Sequence, residues 1–251
     1  MGLIGGQLGY QMLRAISPGE RTGMMDGSAF ADRSKLRVLL GDDVFDLVRG
    51  KVVLDFGCGE GAEAIEIVHS GAVRVIALDI QERLLQEGRR QAAALGMADR
   101  IAFVQQATEP VDVVISLDSF EHFADPAAVL RTMHALLLPG GQVLTSFGPT
   151  WYHPLGGHLF SIFPWAHLVF TERALIRWRA GFKTDGATRF SEVAGGLNQM
   201  TIGRFERLVA ASPLRLVDLE AVPIRRLRRL ATRITREFTT AVVRARLVRE
   251  N

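Results

Sequence analysis

The sequence predicts an α/β fold built on a mostly parallel sheet, and three observations support that prediction. From Lys51 onward, short apolar runs rich in β-branched residues alternate with helical patterns, as in chains that feed successive strands into one sheet. A Gly-rich turn, DFGCGEGA, joins the first run to its helix. The 251 residues are 48% hydrophobic and 23% charged, which is enough for one domain with a full core.

Five apolar runs predict the central strands, at 52–58, 74–80, 101–107, 111–117 and 142–147. Helices are predicted after the first run, ending at Gly71, after the second, ending near Gly96, and at DPAAVLRTMHALL, where Asp125 is the N-cap. The alternation stops after Phe147 and resumes with a helix over 200–212. Strands follow over 214–222 and 238–248, and both are predicted to be edge strands of the sheet, joined by the basic segment RRLRRLATRITR.

Composition narrows the cellular setting. The single cysteine, Cys58, excludes an internal disulfide framework and predicts a reducing compartment. The first residues show neither a signal-peptide pattern nor a myristoylation motif, so a cytoplasmic protein is expected. Residues 132–171 contain no Asp, Glu, Lys or Arg, but Pro and Gly interrupt them, and no membrane span is predicted. The net charge of +3 by itself indicates little about nucleic acid.

The Gly-rich turn predicts a cofactor that contains a nucleoside. Glycines allow a tight turn and a close approach of the ligand at the N-terminus of the following helix. Asp79 ends the second strand, where a carboxylate accepts hydrogen bonds from both hydroxyls of a ribose. The glycines alone leave a dinucleotide open, because GCGEGA also fits the loose pattern of dinucleotide-binding turns.

Three further features distinguish between these cofactors. Asp55 lies inside the first strand, DVVISLDSFEH ends a strand in polar residues, and LPGGQVLTSF introduces the fifth strand. With these features, residues 50–148 resemble the class I S-adenosylmethionine-dependent methyltransferases. The resemblance implies a doubly wound, Rossmann-like sheet of seven strands, mostly parallel with an antiparallel C-terminal strand, plus an insertion after strand five. It also implies an N-terminal helical cap over 1–50 and a methyltransferase domain over 51–251, with a substrate lid at about 148–200.

The resemblance assigns cofactor roles to individual residues. The Gly-rich loop lies against the methionine part of S-adenosyl-L-methionine, the strand-one acid orients its amino group, and the strand-two acid holds the ribose. The sequence departs from the family after strand three, where FVQQATEP offers Gln105 and Gln106 in place of an acid; Gln106 supplies a carbonyl acceptor instead. Cys58 is interpreted as a packed residue without chemistry. The cofactor-binding candidates are Asp55, Gly57, Gly59, Gly61, Asp79, Ile80, Gln106 and Leu117.

The catalytic candidates lie at the end of strand four. Methyl transfer from a sulfonium requires alignment in a dry site and, for a hydroxyl or amine acceptor, a base; it requires no metal. Similar enzymes place groups beside the methyl at this strand end, so the resemblance makes Asp118, Glu121 and His122 of LDSFEH the candidates, with His122 as the candidate base. Packing of His122 at the start of the next helix is an equally open interpretation. O-methylation of a small-molecule acceptor is favoured because it is the more frequent reaction.

The stretch WYHPLGGHLFSIFPWAHLVF at 151–170 concentrates aromatic and His residues. It is interpreted as a substrate lid, since acceptor pockets favour aromatic walls with a few polar groups. The alternative interpretation is that these residues pack in a hydrophobic core. A metal site is disfavoured, because no carboxylate or Cys accompanies the His residues at close spacing. The substrate-binding candidates are Trp151, Tyr152, His153, His158 and Trp165, and the metal alternative would use His153, His158 and His167.

The sequence also indicates which classes of partner the protein could bind. The acid-free segment 225–236 carries six Arg and, with LFSIFPWAHLVF, suits either a peripheral contact with an anionic membrane or a solvated connector. Nucleic acid is disfavoured because the aromatic and basic residues lie apart. Ser28, Arg33 and Lys35 are candidate contacts of the N-terminal cap. Two other functions stay open: a catalytically idle protein that keeps the cofactor fold, and an NAD-dependent oxidoreductase.

Overall fold

A computed structural model describes residues 2–18, 33–158, 160–161, 163–193 and 196–250 of the chain. Its strands are β1 (Val52–Phe56), β2 (Arg74–Leu78), β3 (Ile101–Val104), β4 (Val111–Leu117), β5 (Leu137–Phe147), β6 (Arg215–Pro223) and β7 (Thr240–Val248). Its α-helices are α1 (Gly6–Ile16), α2 (Lys35–Leu40), α3 (Val44–Val48), α4 (Ala62–His69), α5 (Glu82–Ala94), α6 (Pro126–Leu136), α7 (Ala166–Val169), α8 (Glu172–Arg179), α9 (Ile202–Ala210) and α10 (Arg236–Thr239). Short 3-10 helices occur at Phe190–Glu192 and Arg225–Leu230.

The strands form one seven-stranded sheet in the order β3-β2-β1-β4-β5-β7-β6. The pairs β2–β3, β1–β2, β1–β4 and β4–β5 are parallel, whereas β7 runs antiparallel to both of its neighbours. This confirms the predicted α/β class and the doubly wound, mostly parallel sheet with an antiparallel C-terminal strand. The strand order reverses beside β1, and ligands of doubly wound sheets bind at the carboxyl ends of the strands near such a point.

One prediction about the sheet is wrong. The last two strands were both expected at the edge, but β7 lies between β5 and β6, so that β6 is the edge strand on that side. The alternation in β7 buries Val243, Ala245 and Leu247. That alternation reports which face of a strand meets the core and carries no information on whether its two edges are paired. The sequence pattern therefore could not separate an edge strand from its inner neighbour.

Apolar side chains pack on both faces of the sheet and in a third cluster away from it. One face carries α4, α5 and the short helices α2 and α3, and the other carries α6 and α9. The third cluster joins α1 to the segment after β5, with Leu13 and Trp178 among its buried members. The N-terminal region thus divides, since α1 packs on α8 whereas α2 packs beside β5 and β7. None of the helices in the described residues is long and apolar enough to cross a membrane.

Candidate active site

The turn between β1 and α4 requires its glycines. Gly57, Gly59 and Gly61 have φ angles of +86°, +54° and +80°, a left-handed region that L side chains rarely adopt. A Cβ atom on Gly61 would lie 2.5 Å from Cε1 of Phe103, and one on Gly57 would lie 3.2 Å from Oγ of Ser119. The turn therefore presents bare backbone at the start of α4. Burial raises the pKa of the Cys58 thiol in this turn, which agrees with its assignment as a residue without chemistry.

Asp79 at the end of β2 holds this turn through a hydrogen bond to its backbone. Its Oδ2 accepts a hydrogen bond from the Gly59 N–H at 3.0 Å, and its Oδ1 accepts one from the Gln81 N–H at 2.8 Å. Each carboxylate oxygen keeps a second lone pair for a hydroxyl group. The next side chain, Ile80, is 82% exposed and offers an apolar surface beside the acid. A carboxylate next to an exposed apolar side chain suits a ribose and the nucleobase attached to it.

A cavity of about 950 Å³ opens at the carboxyl ends of β1, β2, β3 and β4, which is a volume suited to a cofactor together with part of an acceptor. Six of the predicted site residues line it: Gly57, Asp79, Ile80, Gln106, Asp118 and His122. Two residues of the segment after β5, Ser191 and Gly196, also line it; both fall within the predicted lid, but neither was predicted as a site residue. The predicted site residues did not include the rest of the wall. Its apolar members are Phe56, Leu78, Ala107, Phe123, Ala124, Val129 and Leu136, and its polar members are Gln81, Gln105, Thr108, Ser119 and Thr132.

Two acids of the predicted set are buried beneath the site. Asp55 is 3% exposed and Glu121 is 2% exposed, and desolvation raises the pKa of each carboxyl to about 8. Among the described residues, neither Oδ2 of Asp55 nor Oε2 of Glu121 has a hydrogen-bond partner. Oε1 of Glu121 accepts from the Gly148 N–H at 3.0 Å. Asp55 therefore retains an unsatisfied acceptor directly before the Gly-rich turn, whereas Glu121 braces the end of β5.

The N-terminal region contributes Lys35 to the site. Its Nζ lies 3.3 Å from Oδ2 of Asp118 and 3.9 Å from Oε1 of Glu63. Burial lowers the pKa of Lys35, but the two carboxylates outweigh it and hold the pKa above its ordinary value. Arg33 is exposed, and Ser28 lies outside the described residues. Of the two cap candidates that the structure describes, Lys35 is thus the one with contacts at the site.

His122 is held in one tautomer at the cavity wall. Its Nδ1 lies 2.8 Å from the Gly196 carbonyl oxygen, which only accepts, so Nδ1 carries the proton and Nε2 is left with a lone pair. The ring of His158 meets the His122 ring edge to face at 5.3 Å between centroids. Burial first, and then the neighbouring His122, lower the pKa of His158 to about 4, so His158 is neutral. The site thus places the His122 imidazole, with its Nδ1 engaged by the backbone, beside a second imidazole that stays uncharged.

The other aromatic candidates hold the inserted segment together. Trp151 packs on His167 at 4.5 Å and on Phe190 at 5.5 Å between ring centroids. Trp165 donates from Nε1 to the Tyr152 carbonyl at 2.9 Å. None of the side chains of Trp151, Tyr152, His153, His158 and Trp165 lines the cavity. Leu117 is likewise a buried core residue, 7% exposed.

Two histidines of the metal alternative, His153 and His167, contact the backbone through their ring nitrogens. Its Nδ1 accepts from the Gly157 N–H at 3.1 Å, and its Nε2 lies 2.5 Å from the Trp151 carbonyl, so both ring nitrogens are engaged by backbone. Nδ1 of His153 accepts from the Leu155 N–H at 2.9 Å. Across the described part of the chain, no group of three or more His, Cys, Asp or Glu side chains is placed to hold a metal ion. Both ring nitrogens of His167 and Nδ1 of His153 thus contact the backbone of the inserted segment.

Comparison with known proteins identifies the family. Residues 30–186, more than half of the chain, match the family described as "Methyltransferase domain". The chain belongs to this methyltransferase family. The fold is shared by solved structures such as an S-adenosylmethionine-dependent methyltransferase from Mesorhizobium loti, with a TM-score of 0.53 and 19% identity over 81% of this chain and 93% of that one. A geranyl diphosphate C-methyltransferase from Streptomyces coelicolor A3(2) has a TM-score of 0.53 and 16% identity over 81% and 73%.

Sequence relatives of this methyltransferase are similar over only part of their length. A ubiquinone biosynthesis O-methyltransferase of Neisseria meningitidis is 38% identical over 123 residues, which cover 46% of this chain and 51% of the relative. A ribosomal protein L11 methyltransferase of Vibrio cholerae is 37% identical over 105 residues, 41% of this chain and 35% of the relative. The chain thus spans about half or less of these curated relatives. The predicted membership in the class I S-adenosylmethionine-dependent methyltransferases is confirmed, and with it the cofactor of the family.

The residues present fit S-adenosyl-L-methionine. The left-handed glycines leave space and free backbone where a ligand approaches, and the orphaned Asp55 oxygen lies next to them. Asp79 and the exposed Ile80 lie in the wall of the same cavity. A buried carboxyl oxygen without a partner is costly, and the positively charged amino group of the cofactor would supply a donor and favour the ionised form of Asp55. The individual binding roles remain predictions from the resemblance and the geometry.

Proposed function

We propose that this protein transfers a methyl group from S-adenosyl-L-methionine to a small-molecule acceptor, with a hydroxyl oxygen favoured and a lipophilic or lipid-linked acceptor expected. One observation carries the proposal: the cofactor-side residues Asp79 and Ile80 and the base candidate His122 line a single cavity. The O-methylation is supported by relatives named ubiquinone biosynthesis O-methyltransferases, which are 38% and 40% identical over 123 and 103 residues.

Of the proposed cofactor contacts, Gly57, Asp79, Ile80 and Gln106 line that cavity, whereas Asp55, Gly59 and Gly61 do not and are proposed from the resemblance to the family. The backbone of the Gly57–Gly61 turn would face the methionine part, Asp55 the amino group and Asp79 the ribose hydroxyls. Ile80 would pack on the apolar ring of the adenine, and the side-chain carbonyl of Gln106 would accept a hydrogen bond from its exocyclic amine. When bound there, the cofactor supplies a methyl group made electrophilic by the sulfonium.

His122 would accept the proton of the acceptor hydroxyl. The Gly196 carbonyl fixes the proton of the imidazole on Nδ1, which leaves Nε2 as the acceptor. Asp118 lies in the same cavity wall and pairs with Lys35 at 3.3 Å; burial is the largest influence on its pKa and raises it, while Lys35 and His122 oppose that rise. Neutral His158 packs against the His122 ring and adds no competing positive charge. A base with a fixed tautomer next to a carboxylate suits deprotonation of a weakly acidic hydroxyl such as a phenol.

The cavity wall favours an apolar acceptor. Beyond the cofactor-side residues, Phe56, Phe123, Val129 and Leu136 line the cavity. Apolar walls with few convergent polar groups are typical of sites for small organic molecules and exclude water from the reacting atoms. Phe123 also packs edge to face on Phe56 at 5.7 Å, which makes this wall rigid.

Formation of S-adenosylhomocysteine in the presence of a panel of lipophilic phenols and catechols tests the proposal. Turnover with at least one member, and loss of that turnover in His122→Gln, is the expected result. A panel of amines and of acidic carbon nucleophiles serves as the comparison for the methylated atom. Cofactor binding without turnover on either panel would contradict the proposal and support a catalytically idle protein instead.

A further inference from the structure

The connection between β6 and β7 exposes apolar side chains to an unusual degree. Its 3-10 helix, Arg225–Leu230, contains no buried residue. Leu230 is 62% exposed, Ile234 is 91% exposed and Phe238 is 46% exposed. Isolated exposed apolar residues are ordinary on protein surfaces, but several in one short connection indicate an interaction site.

The exposed side chains continue onto the segment after β5. The Tyr152 ring lies 5.2 Å from the Phe238 ring, and Oγ1 of Thr150 donates to the Glu237 carbonyl at 3.3 Å. Trp165 is joined to Tyr152 by the hydrogen bond described above, and each is more than one third exposed. We call this surface the apolar patch; its members are Tyr152, Trp165, Leu230, Ile234 and Phe238.

Unpaired positive charge is interleaved with the patch. Arg236 pairs with Glu206 at 2.6 Å. Among the described residues, no ion pair forms at the other arginines of this connection, and the segment 225–236 contains no acid. By contrast, Arg244 on β7 pairs with Glu220 at 2.9 Å. The unpaired arginines, all exposed, are Arg225, Arg226, Arg228, Arg229 and Arg233.

We propose that the apolar patch with its five arginines docks the protein on an anionic lipid bilayer. Aliphatic and aromatic side chains enter the boundary between headgroups and acyl chains, while arginines bind the phosphates of the headgroups. Nucleic acid fits the surface less well, because single-stranded binding uses aromatic rings as stacking platforms and the most exposed apolar side chain here is the aliphatic Ile234. Docking does not depend on the transferred group or on the acceptor, so it stands apart from the proposed methyl transfer.

Sedimentation with lipid vesicles tests the docking. The wild-type protein is expected to sediment with vesicles that contain phosphatidylglycerol, to bind pure phosphatidylcholine much more weakly, and to be released by high salt. Arg228→Gln with Arg229→Gln should weaken binding by roughly tenfold or more. Leu230→Ser with Ile234→Ser should weaken it at high salt as well, since insertion of apolar groups is not screened.

Matched variants control for charge and for apolar area elsewhere. Arg83→Gln with Arg131→Gln removes two exposed arginines on α5 and α6, and Val73→Ser with Leu95→Ser removes two exposed apolar side chains outside the patch. Both controls should bind vesicles as the wild type does. Titration with S-adenosylhomocysteine checks that all variants remain folded. Equal binding to neutral and anionic vesicles, equal losses in the controls, or tighter binding to an oligonucleotide than to vesicles would each overturn the proposal.

Discussion

The turn after β1 and the segment after β5 both contribute to the carboxyl edge of the sheet, but their residues are determined in different ways. In the turn, the backbone itself selects the residue, because Gly61 has a φ of +80° and a Cβ there would meet Phe103. In the later segment, Trp151 is fixed by contacts with His167 and Phe190, which come from distant parts of the segment. A short motif therefore identifies the cofactor side of the site, whereas the acceptor side depends on packing that no local pattern encodes.

The largest expected effect is on turnover, when the base candidate His122 is replaced. His122→Gln should lower turnover by about 10²–10⁴-fold, since a positioned base contributes that much to proton transfer. Affinity for S-adenosylhomocysteine should stay within about twofold of the wild type, because His122 lies on the acceptor side. The exposed His69 on α4 gives a control, His69→Gln, with unchanged turnover. Retention of full turnover in His122→Gln would remove the base from the mechanism.

On the cofactor side, Asp79→Ala should weaken binding of S-adenosylhomocysteine by about 100-fold, because two hydrogen bonds to a carboxylate are lost. Calorimetric titration measures this directly. Asp99→Ala removes an exposed acid before β3 and should leave the affinity unchanged. Since Asp79 also accepts from the Gly59 N–H, circular dichroism should accompany the titration to confirm that the sheet is intact. An unchanged affinity in Asp79→Ala would contradict the assignment of the ribose.

For the segment after β5, Trp151→Ala should lower the free energy of unfolding by about 2 kcal/mol, because a half-buried ring is removed from its packing. Urea unfolding is the measurement, and Trp165→Ala, at a 36% exposed position, should cost less. Cofactor affinity should not change in either variant. A large rise in KM for the acceptor with no loss of stability would instead make Trp151 a direct substrate contact, as the sequence first suggested.

An effect of similar size is expected for Glu121, whose pKa burial raises to about 8. Between its ordinary pKa and this value the folded state holds a proton that the unfolded state has released, so stability falls as pH rises and levels off above the raised pKa. Glu121→Gln should reduce that slope and increase the free energy of unfolding at pH 8 by about 1–3 kcal/mol. Urea unfolding of the protein without cofactor at several pH values measures the slope. An identical slope in wild type and variant would show that Glu121 is ionised in the folded state.

The sequence predicted the turn after β1 better than the segment after β5. Alternating β and α patterns and the turn glycines were enough for the sheet, and Asp79 could be placed because it ends a strand next to that turn. The position of β7 inside the sheet could not be predicted, because face alternation is silent about edges. Ser191 and Gly196 reach the cavity only through the packing of the inserted segment, and Lys35 reaches Asp118 only once α2 lies beside the sheet. These placements result from tertiary packing, and no local sequence pattern around Ser191, Gly196 or Lys35 indicates them.

The most direct test of the central claim is a calorimetric titration of the purified protein with S-adenosylhomocysteine, with NAD titrated in parallel. We predict binding of S-adenosylhomocysteine in the micromolar range, and no binding of NAD, because the chain belongs to a methyltransferase family and an unsatisfied oxygen of Asp55 lies before the Gly-rich turn. Binding of NAD that S-adenosylhomocysteine does not compete away, or no binding of S-adenosylhomocysteine at all, would contradict it.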